Sequence, residues 1–372
     1  MLRKLRIKPF FFILFVLIPL LTSCGFKDID KNAFVSAIGI DRSDHEDKPY
    51  KVTLKLFVPT SSFKQQSEPQ YAFITKEGKT IGDAIRLMEA ESEKKLELGH
   101  SKIILFGEDI LEKDLKEMAD YLMRRADIQL ISWVAVGRPS AEEILMAQSA
   151  TESATYPSLY NFFDATGTLS PYIVTTNLFE FRRTYLEKGV HPVLPIIVFD
   201  QKESNYKIDK SLILVKKGER VELSPEETKI FNILLNFATK TDITIQDGSN
   251  FSALASIDKY KTKLKIRYNE SGKATVIVDL SMIGTIIESG STIRGKELPE
   301  VDRMAEEELK EDLTKFLKKI SEEGADPLGL GLKYRSSRLH QNIDYKQWQQ
   351  AYRHLNIDLN IKVSLKSTGM TY

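Results

Sequence analysis

The chain has 372 residues, with 53 Lys and Arg against 52 Asp and Glu and a single cysteine. This balance gives no indication of a nucleic-acid partner, and one cysteine excludes a disulfide within the chain. The length exceeds what one hydrophobic core usually organises, so two or three domains are expected.

Residues 1–23 have the pattern of a cleaved lipoprotein signal peptide. Four basic side chains fall within the first eight residues, and an apolar stretch from Phe10 to Leu21 follows. That stretch has about 12 residues, whereas a membrane-spanning helix needs roughly 20, which favours a signal over a permanent anchor. The sequence LTSC that ends at Cys24 matches a bacterial lipobox.

Cys24 is therefore the predicted lipidation site, with diacylglyceryl on its thiol and an acyl chain on its new amino group. One acyl chain binds a membrane only reversibly, whereas two hold it stably. An ordinary secretory signal with an incidental cysteine is the alternative, but the position of the lone thiol in the lipobox argues against it. Cleavage removes four basic and no acidic side chains, which leaves a net charge of about −3.

Residues 24–200 alternate strand-like and helix-like patterns and predict an N-terminal α/β region. The predicted strands are 34–40, 52–58, 71–75, 101–106, 130–136 and 196–199, and helices are predicted from Thr80, across 111–122 and between 140 and 188. This alternation favours a mixed or parallel sheet covered by helices. One domain and two subdomains fit the pattern equally.

A polar stretch at 201–205 separates this region from residues 206–372, which predict a C-terminal α+β domain. The sequence SPEE that begins at Ser224 combines an N-cap residue, a proline at the first helical position and a glutamate at the third. A second helix is predicted from Pro299 to about Gly324.

Three strands are predicted in this C-terminal domain. Residues 263–268 and 357–366 alternate apolar and polar side chains, which indicates one wet face and hence an antiparallel sheet. Between them, 274–287 is apolar on both faces. The chain as a whole is predicted to be a multi-domain α+β protein with mixed sheets flanked by helices and an antiparallel-rich C-terminal domain.

The search for catalytic groups predicts no enzyme, no cofactor and no metal site. The tripeptide GKT that ends at Thr80 resembles the end of a phosphate-binding loop, but Phe73 stands where its first glycine belongs. The sequence GLG at 329–331 lacks the third glycine of a dinucleotide-binding motif. The five histidines are scattered without metal-ligand spacing, and a nucleophile-elbow motif is absent from the sequence.

Basic side chains recur at every second position from Lys261 through Lys263 and Lys265 to Arg267. Contact with anionic lipid headgroups is one interpretation of this stripe. A hydrated strand face is the commoner explanation, and the sequence by itself favours it.

Four segments in this order resemble the Ger(x)C family of lipoprotein C subunits of spore germinant receptors. They are AFVSAIGID at 33–41, GHSKIILFGE at 99–108, DPLGLG at 326–331 and STG at 367–369. The likeness extends over essentially the whole mature chain and begins shortly after the lipobox.

The resemblance implies a three-domain α+β architecture and a non-enzymatic subunit required for nutrient-triggered spore germination. It implies a location on the outer face of the inner spore membrane and two integral-membrane partners, an A-type subunit and a transporter-like B-type subunit. Only Cys24 is carried over as a functional residue, as the site of diacylglyceryl attachment. Direct binding of a small-molecule germinant by this subunit is not implied.

A solute-binding lipoprotein of an uptake transporter is the alternative class. It would share the signal peptide, the lipobox and a similar length. It would also show two α/β lobes with repeated parallel-strand units and a ligand cleft, whereas the long amphipathic strands after Tyr260 favour the receptor class.

Overall fold

The computed structural model describes residues 31–57, 71–112, 115–150, 158–163, 170–216, 218–246, 252–269, 273–290, 293, 295–337 and 345–367. The predicted signal peptide and Cys24 lie outside these residues. Within them, no helix is both long enough and apolar enough to cross a bilayer.

The first sheet contains nine strands in the part of the chain that the structure describes. They are β1 (Asn32–Arg42), β2 (Tyr50–Phe57), β3 (Tyr71–Gly78), β4 (Lys95–Glu97), β5 (Ile103–Gly107), β6 (Trp133–Arg138), β7 (Val193–Asp200), β8 (Asn205–Lys216) and β9 (Glu219–Leu223). The order is β3-β2-β1-β5-β6-β7-β8-β9, with β4 also on β1. The central pairs are parallel and the outer pairs antiparallel, which confirms a mixed sheet.

Helices cover both faces of this sheet. They are α1 (Ile81–Glu91), α2 (Leu115–Arg124), α3 (Ala141–Met146), α4 (Ser158–Asn161) and α5 (Leu178–Leu186). Alternate strand residues enter different cores, because successive side chains point to opposite faces. Ile104 packs with α1, α2 and α5, whereas Ile103 packs with α3 and α4.

The second sheet has the order β10 (Thr241–Gln246), β11 (Ser252–Tyr268), β12 (Ala274–Ser289) and β13 (Asn356–Ser367). The first three strands pair antiparallel, but β13 lies parallel to β12, so the prediction that its strand completes an antiparallel sheet is wrong. The reason is the connection between them. It runs through α7 (Leu298–Glu322), α8 (Leu330–Ser336) and α9 (Tyr345–Arg353), and such a helical crossover returns the chain to the end where β12 began.

One face of the second sheet is buried beneath α6 (Pro225–Leu235), α7, α8 and α9. Val278 and Leu280 of β12 share this core with Leu313 and Phe316 of α7. The opposite face of β12 mixes isoleucines with polar side chains such as Asp279 and Ser281, and it is at most half-buried because the described helices all pack on the other side.

The hairpin of β8 and β9 contributes to both cores. Leu212 and Leu214 point into the core of the first sheet, whereas Ile213 and Val221 belong to the core of the second. The polar stretch at 201–205 includes the turn between β7 and β8, and both of these strands belong to the first sheet. The division of the chain at residues 200–206 remains a proposal.

Candidate functional site at the junction of the two sheets

The DPLGLG motif forms the turn between α7 and α8. Asp326 is only 3% exposed. Its carboxylate accepts the backbone N–H groups of Leu330 at 2.9 Å and Gly331 at 2.7 Å, both at the start of α8. Gly329 has a left-handed backbone with φ of 65°, a conformation that glycine adopts without steric cost. Aspartate and glycine are therefore required here by the turn and the helix start.

Burial raises the pKa of Asp326 to about 7, because desolvation outweighs the backbone hydrogen bonds that favour the ionised form. Tyr352 is buried close by, and its hydroxyl donates to the Ala325 carbonyl at 2.6 Å. Burial raises the pKa of Tyr352 well above its ordinary value, and the nearby charge of Asp326 adds to the rise. Tyr352 is therefore neutral at physiological pH, whereas Asp326 titrates near neutrality.

The same turn binds the segment that precedes β7. The backbone N–H of His191 donates to the backbone carbonyl of Asp326 at 2.8 Å. The ring Nδ1 of His191 accepts the backbone N–H of Asp326, also at 2.8 Å. Leu332 N–H donates to the Gly189 carbonyl at 2.9 Å. A Cβ on Gly189 would lie 2.5 Å from the Gly331 carbonyl carbon, so the two backbones approach too closely for a larger residue. Through these hydrogen bonds, the DPLGLG motif connects the C-terminal helices to the first region.

A pocket of about 280 Å³ lies beside this turn. Its walls are mostly apolar and come from both regions, including Val193, Phe231 and Leu328. Charged side chains such as Arg183 and Lys333 also line it. Its volume lies just below the roughly 300–1,000 Å³ of typical ligand sites. No group of three or more His, Cys, Asp or Glu within the described ranges is placed to hold a metal ion. The arrangement favours a structural junction over a catalytic site.

A second buried aspartate connects the other two motifs that the structure describes. Asp41 ends the segment AFVSAIGID, and its carboxylate accepts the N–H groups of Ala141 at 2.7 Å and Glu142 at 2.9 Å. Gly107, from GHSKIILFGE, lies against it, and a Cβ there would be 1.9 Å from Asp41 Oδ1. Burial raises the pKa of Asp41, while the two backbone hydrogen bonds lower it. These motif residues hold α3 on the first sheet.

Ion pairs form a third contact between distant parts of the chain. Arg138 donates to the Glu108 carboxylate at 2.7 and 2.9 Å and to Glu222 at 3.0 Å. Lys319 of α7 donates to the Glu222 carbonyl at 2.9 Å and also pairs with Glu227. The sequence does not predict these pairs, because their members are far apart along the chain.

The structure separates the sequence-derived candidates by role. Thr80 caps α1 by accepting the Asp83 N–H, so the tripeptide GKT belongs to a capped helix start. The glycines at 329 and 331 belong to the Asp326 turn. His191 had no role in the sequence prediction except as one of the scattered histidines, and the nearby DPLGLG motif was the available signal for the junction. Cys24 lies outside the described residues.

Comparisons with known proteins place the chain among the spore germination proteins. Residues 25–199 match a family model described as the spore germination protein N-terminal domain, and residues 212–369 match one described as spore germination B3/GerAC like, C-terminal. The chain belongs to the Ger(x)C family, which confirms the resemblance.

Two curated relatives and one solved structure illustrate the likeness. Spore germination protein GerQC of Bacillus cereus is 22% identical, over 84% of this chain and 86% of its own. Spore germination protein KC of Bacillus subtilis (strain 168) is 22% identical, over 92% of this chain and 91% of its own. The crystal structure of the GerBC protein aligns with a TM-score of 0.57 at 15% identity, covering 92% of this chain and 99% of that chain. This agreement confirms the α+β fold class.

Proposed function

We propose that this chain is the lipid-anchored, non-catalytic subunit of a spore germinant receptor, required for nutrient-triggered germination. The observation that carries the proposal is the ordered pair of family matches, which begins at residue 25, directly after Cys24, and extends to residue 369. The relatives GerQC and KC are both named as spore germination proteins. A solute-binding lipoprotein is not favoured by these matches.

The proposed location is the outer face of the inner spore membrane, with diacylglyceryl and N-acyl groups on Cys24. The lipobox supports this anchor, and the sequence from Gly25 to Asn32 is short and polar enough to serve as a tether. The proposed partners are an A-type and a transporter-like B-type integral-membrane subunit. A short tether raises the effective concentration of a weak partner to roughly the millimolar range, so modest contacts suffice for assembly.

The absence of catalysis is part of the proposal, and the two most buried motif carboxylates support it. Asp41 and Asp326 each accept two backbone N–H groups at a helix start. A buried carboxylate whose oxygens accept backbone N–H groups is not available to act on a substrate. The subunit then acts by presenting folded surfaces to membrane partners.

The test is deletion of the gene, with complementation by the wild-type chain or by Cys24→Ala. Deletion is expected to abolish or slow germination with particular nutrients, while triggers that bypass receptors still work. Cys24→Ala is expected to fold, to lose fatty-acid labelling and to leave the membrane fraction, because the thiol is the proposed attachment point. It should therefore mimic a partial deletion.

The control is co-purification of the membrane subunits with the wild-type protein from spore membranes. Normal germination of deleted spores with every nutrient mixture, together with no co-purified membrane subunit, would contradict the receptor function. A Cys24→Ala protein that stays lipid-labelled and membrane-bound would contradict the anchor alone.

A further inference from the structure

Among the described residues, no helix packs on one face of the second sheet, which we call the open face. It consists of the side chains of β11, β12 and β13 that point away from α6, α7, α8 and α9. Its exposed basic side chains include Lys261, Lys263, Lys265, Arg267, Lys362 and Lys366.

Strand geometry places these cations in two rows. Alternate residues of β11 share a face at a spacing of roughly 7 Å. The strand register then sets Lys261 opposite Ser281 of β12, and Ser281 opposite Lys362 of β13. The basic side chains of β11 and β13 therefore lie on the same face, on either side of β12, and come together at Ser281.

The open face is positive although the mature chain is slightly negative overall. Four acidic side chains of β11, β12 and β13 lie on the open face, namely Asp258, Asp279, Glu288 and Asp358. Asp279 accepts Lys265 Nζ at 2.9 Å and the Asn360 amide at 3.0 Å, so it neutralises one lysine of the row. The remaining cations exceed the acidic groups, and this local excess selects an anionic partner.

Aliphatic side chains of β12 continue the open face beyond the β11 cations Lys261 to Arg267. Ile283 and Ile287 of β12 are 44% and 57% exposed. Surfaces that bind membrane interfaces combine cations, which meet lipid phosphates, with apolar side chains that enter the headgroup boundary. A hydrated strand face explains the lysines but leaves these exposed isoleucines without a role.

We propose that the open face docks on an anionic phospholipid surface, as a contact additional to the lipid anchor. The proposal rests on the proposed function, because the Cys24 anchor brings the face within reach of a bilayer. All but one of these cations are lysines, which are strongly hydrated point charges suited to dispersed headgroup phosphates. Arginine, with its bidentate fork, would be expected against fixed carboxylates of a protein partner.

Such a contact would fix the orientation of the folded protein relative to the bilayer. Two acyl chains on a tether hold the protein near the bilayer without fixing which side faces the lipid. Docking of the open face turns the helices of the second sheet away from the lipid, where they are free to meet the extramembrane parts of partner subunits.

The experiment is co-sedimentation of the mature chain carrying Cys24→Ser, which removes the lipid anchor, with vesicles. Binding is expected to vesicles of phosphatidylglycerol and phosphatidylcholine but not to phosphatidylcholine alone, and to weaken with salt. The combined variant Lys261→Gln, Lys263→Gln and Lys362→Gln is expected to bind about a hundredfold more weakly, at about fivefold for each lysine.

A matched control carries Lys310→Gln, Lys315→Gln and Lys318→Gln on the exposed side of α7, which changes net charge equally. This variant is expected to bind as tightly as the parent protein. A second variant, Ile283→Ser with Ile287→Ser, is expected to weaken binding without changing its salt dependence. Melting temperatures within a few degrees of the parent show that each variant is folded.

Equal loss of binding in the open-face and control variants would overturn the proposal, because it would reduce the effect to net charge. Failure to bind anionic vesicles would also overturn it, and capture of a membrane subunit by the open face in that case would assign it to a protein partner. The vesicle assay uses neither spores nor the lipid anchor. The vesicle result therefore does not depend on the germination test, and failure of one can be distinguished from failure of the other.

Discussion

At the scale of single residues, the motifs that carry the family resemblance have structural tasks. Asp41 and Asp326 each hold the start of a helix by accepting backbone N–H groups. Gly107 and Gly331 lie where any side chain would collide with a neighbouring group. A buried aspartate at a helix start and a glycine at a close backbone approach are both intolerant of substitution, for steric and hydrogen-bonding reasons.

The pKa of Asp326 predicts a pH dependence of stability. Its folded pKa of about 7 exceeds the value near 3.9 of an unfolded aspartate, so between about pH 4 and 7 the native state holds a proton that the unfolded state has released. The free energy of unfolding therefore falls as pH rises through this window, by up to about 1.4 kcal/mol per pH unit from this group. Asp326→Asn should remove that slope and cost about 1–3 kcal/mol, since an amide nitrogen cannot accept the Gly331 N–H.

Urea unfolding at pH 5, 6 and 7 measures this effect, with the fluorescence of buried Trp348 as the signal. Asp279→Asn is the control, because the pKa of that exposed carboxyl is lowered by its hydrogen bond with Lys265. It is expected to keep the parental slope. Equal slopes for the parent and Asp326→Asn would show that this carboxyl does not titrate in the window.

At the scale of elements, α7 covers part of the outer edge of β13. The N–H of Val363 donates to Glu306 at 2.9 Å, and the N–H of Leu365 donates to Asp302 at 2.8 Å. Partial burial against the strand raises the pKa of Asp302, while the hydrogen bond from Leu365 lowers it. Exposed strand edges invite pairing with other chains, and these two carboxylates occupy edge donors that would otherwise be available.

Asp302→Ala combined with Glu306→Ala should destabilise the chain and loosen this edge. Each lost hydrogen bond to a charged group is expected to cost about 1.5–3 kcal/mol. Hydrogen exchange is the direct measurement, because the amides of Val363 and Leu365 should exchange faster in the variant. Glu307→Ala removes only an exposed ion pair with Arg303 and is the control, with an expected cost below about 1 kcal/mol. Unchanged exchange at both amides would show that α7 does not protect the edge.

At the scale of the whole molecule, the two regions are connected by shared strands as well as by the Asp326 turn. The hairpin of β8 and β9 extends the first sheet while Ile213 and Val221 enter the second core. Ser211 and Thr228 also share a hydrogen bond at 2.9 Å between β8 and α6. A boundary at residue 206 keeps this hairpin with the C-terminal helices.

The fragment 206–372 is therefore expected to fold alone and to melt cooperatively, because the hairpin completes its core. Circular dichroism during heating measures the transition. The shorter fragment 225–372, which begins at α6 and lacks the hairpin, is the control and should melt at a lower temperature or without a sharp transition. A gradual melt of the longer fragment, with rapid amide exchange throughout, would contradict the proposed boundary.

Much of the fold was predictable because its signals are local. The capping box at Ser224 and Glu227 is present as expected, with both reciprocal hydrogen bonds. The predicted strands agree within a few residues with β1 to β3, β5 to β7, β12 and β13, whereas the prediction at 263–268 covers only the second part of β11. Most of the candidate junction was not predictable, because His191 and Asp326 meet only after the two regions have packed together.

Local patterns and ordered motifs were enough to predict most strands of the first sheet, the helices α1, α6 and α7, the lipobox at Cys24 and the family. They did not predict β4, β8, β9, β10, α8 or α9. The tertiary structure decided the parallel direction of β13, the burial of Asp326 and the exposure of one face of β12. These features depend on which side of a sheet the helices cover and on where a long crossover returns. Hydrophobic periodicity shows that a strand has an apolar face, but only packing against another element removes that face from water.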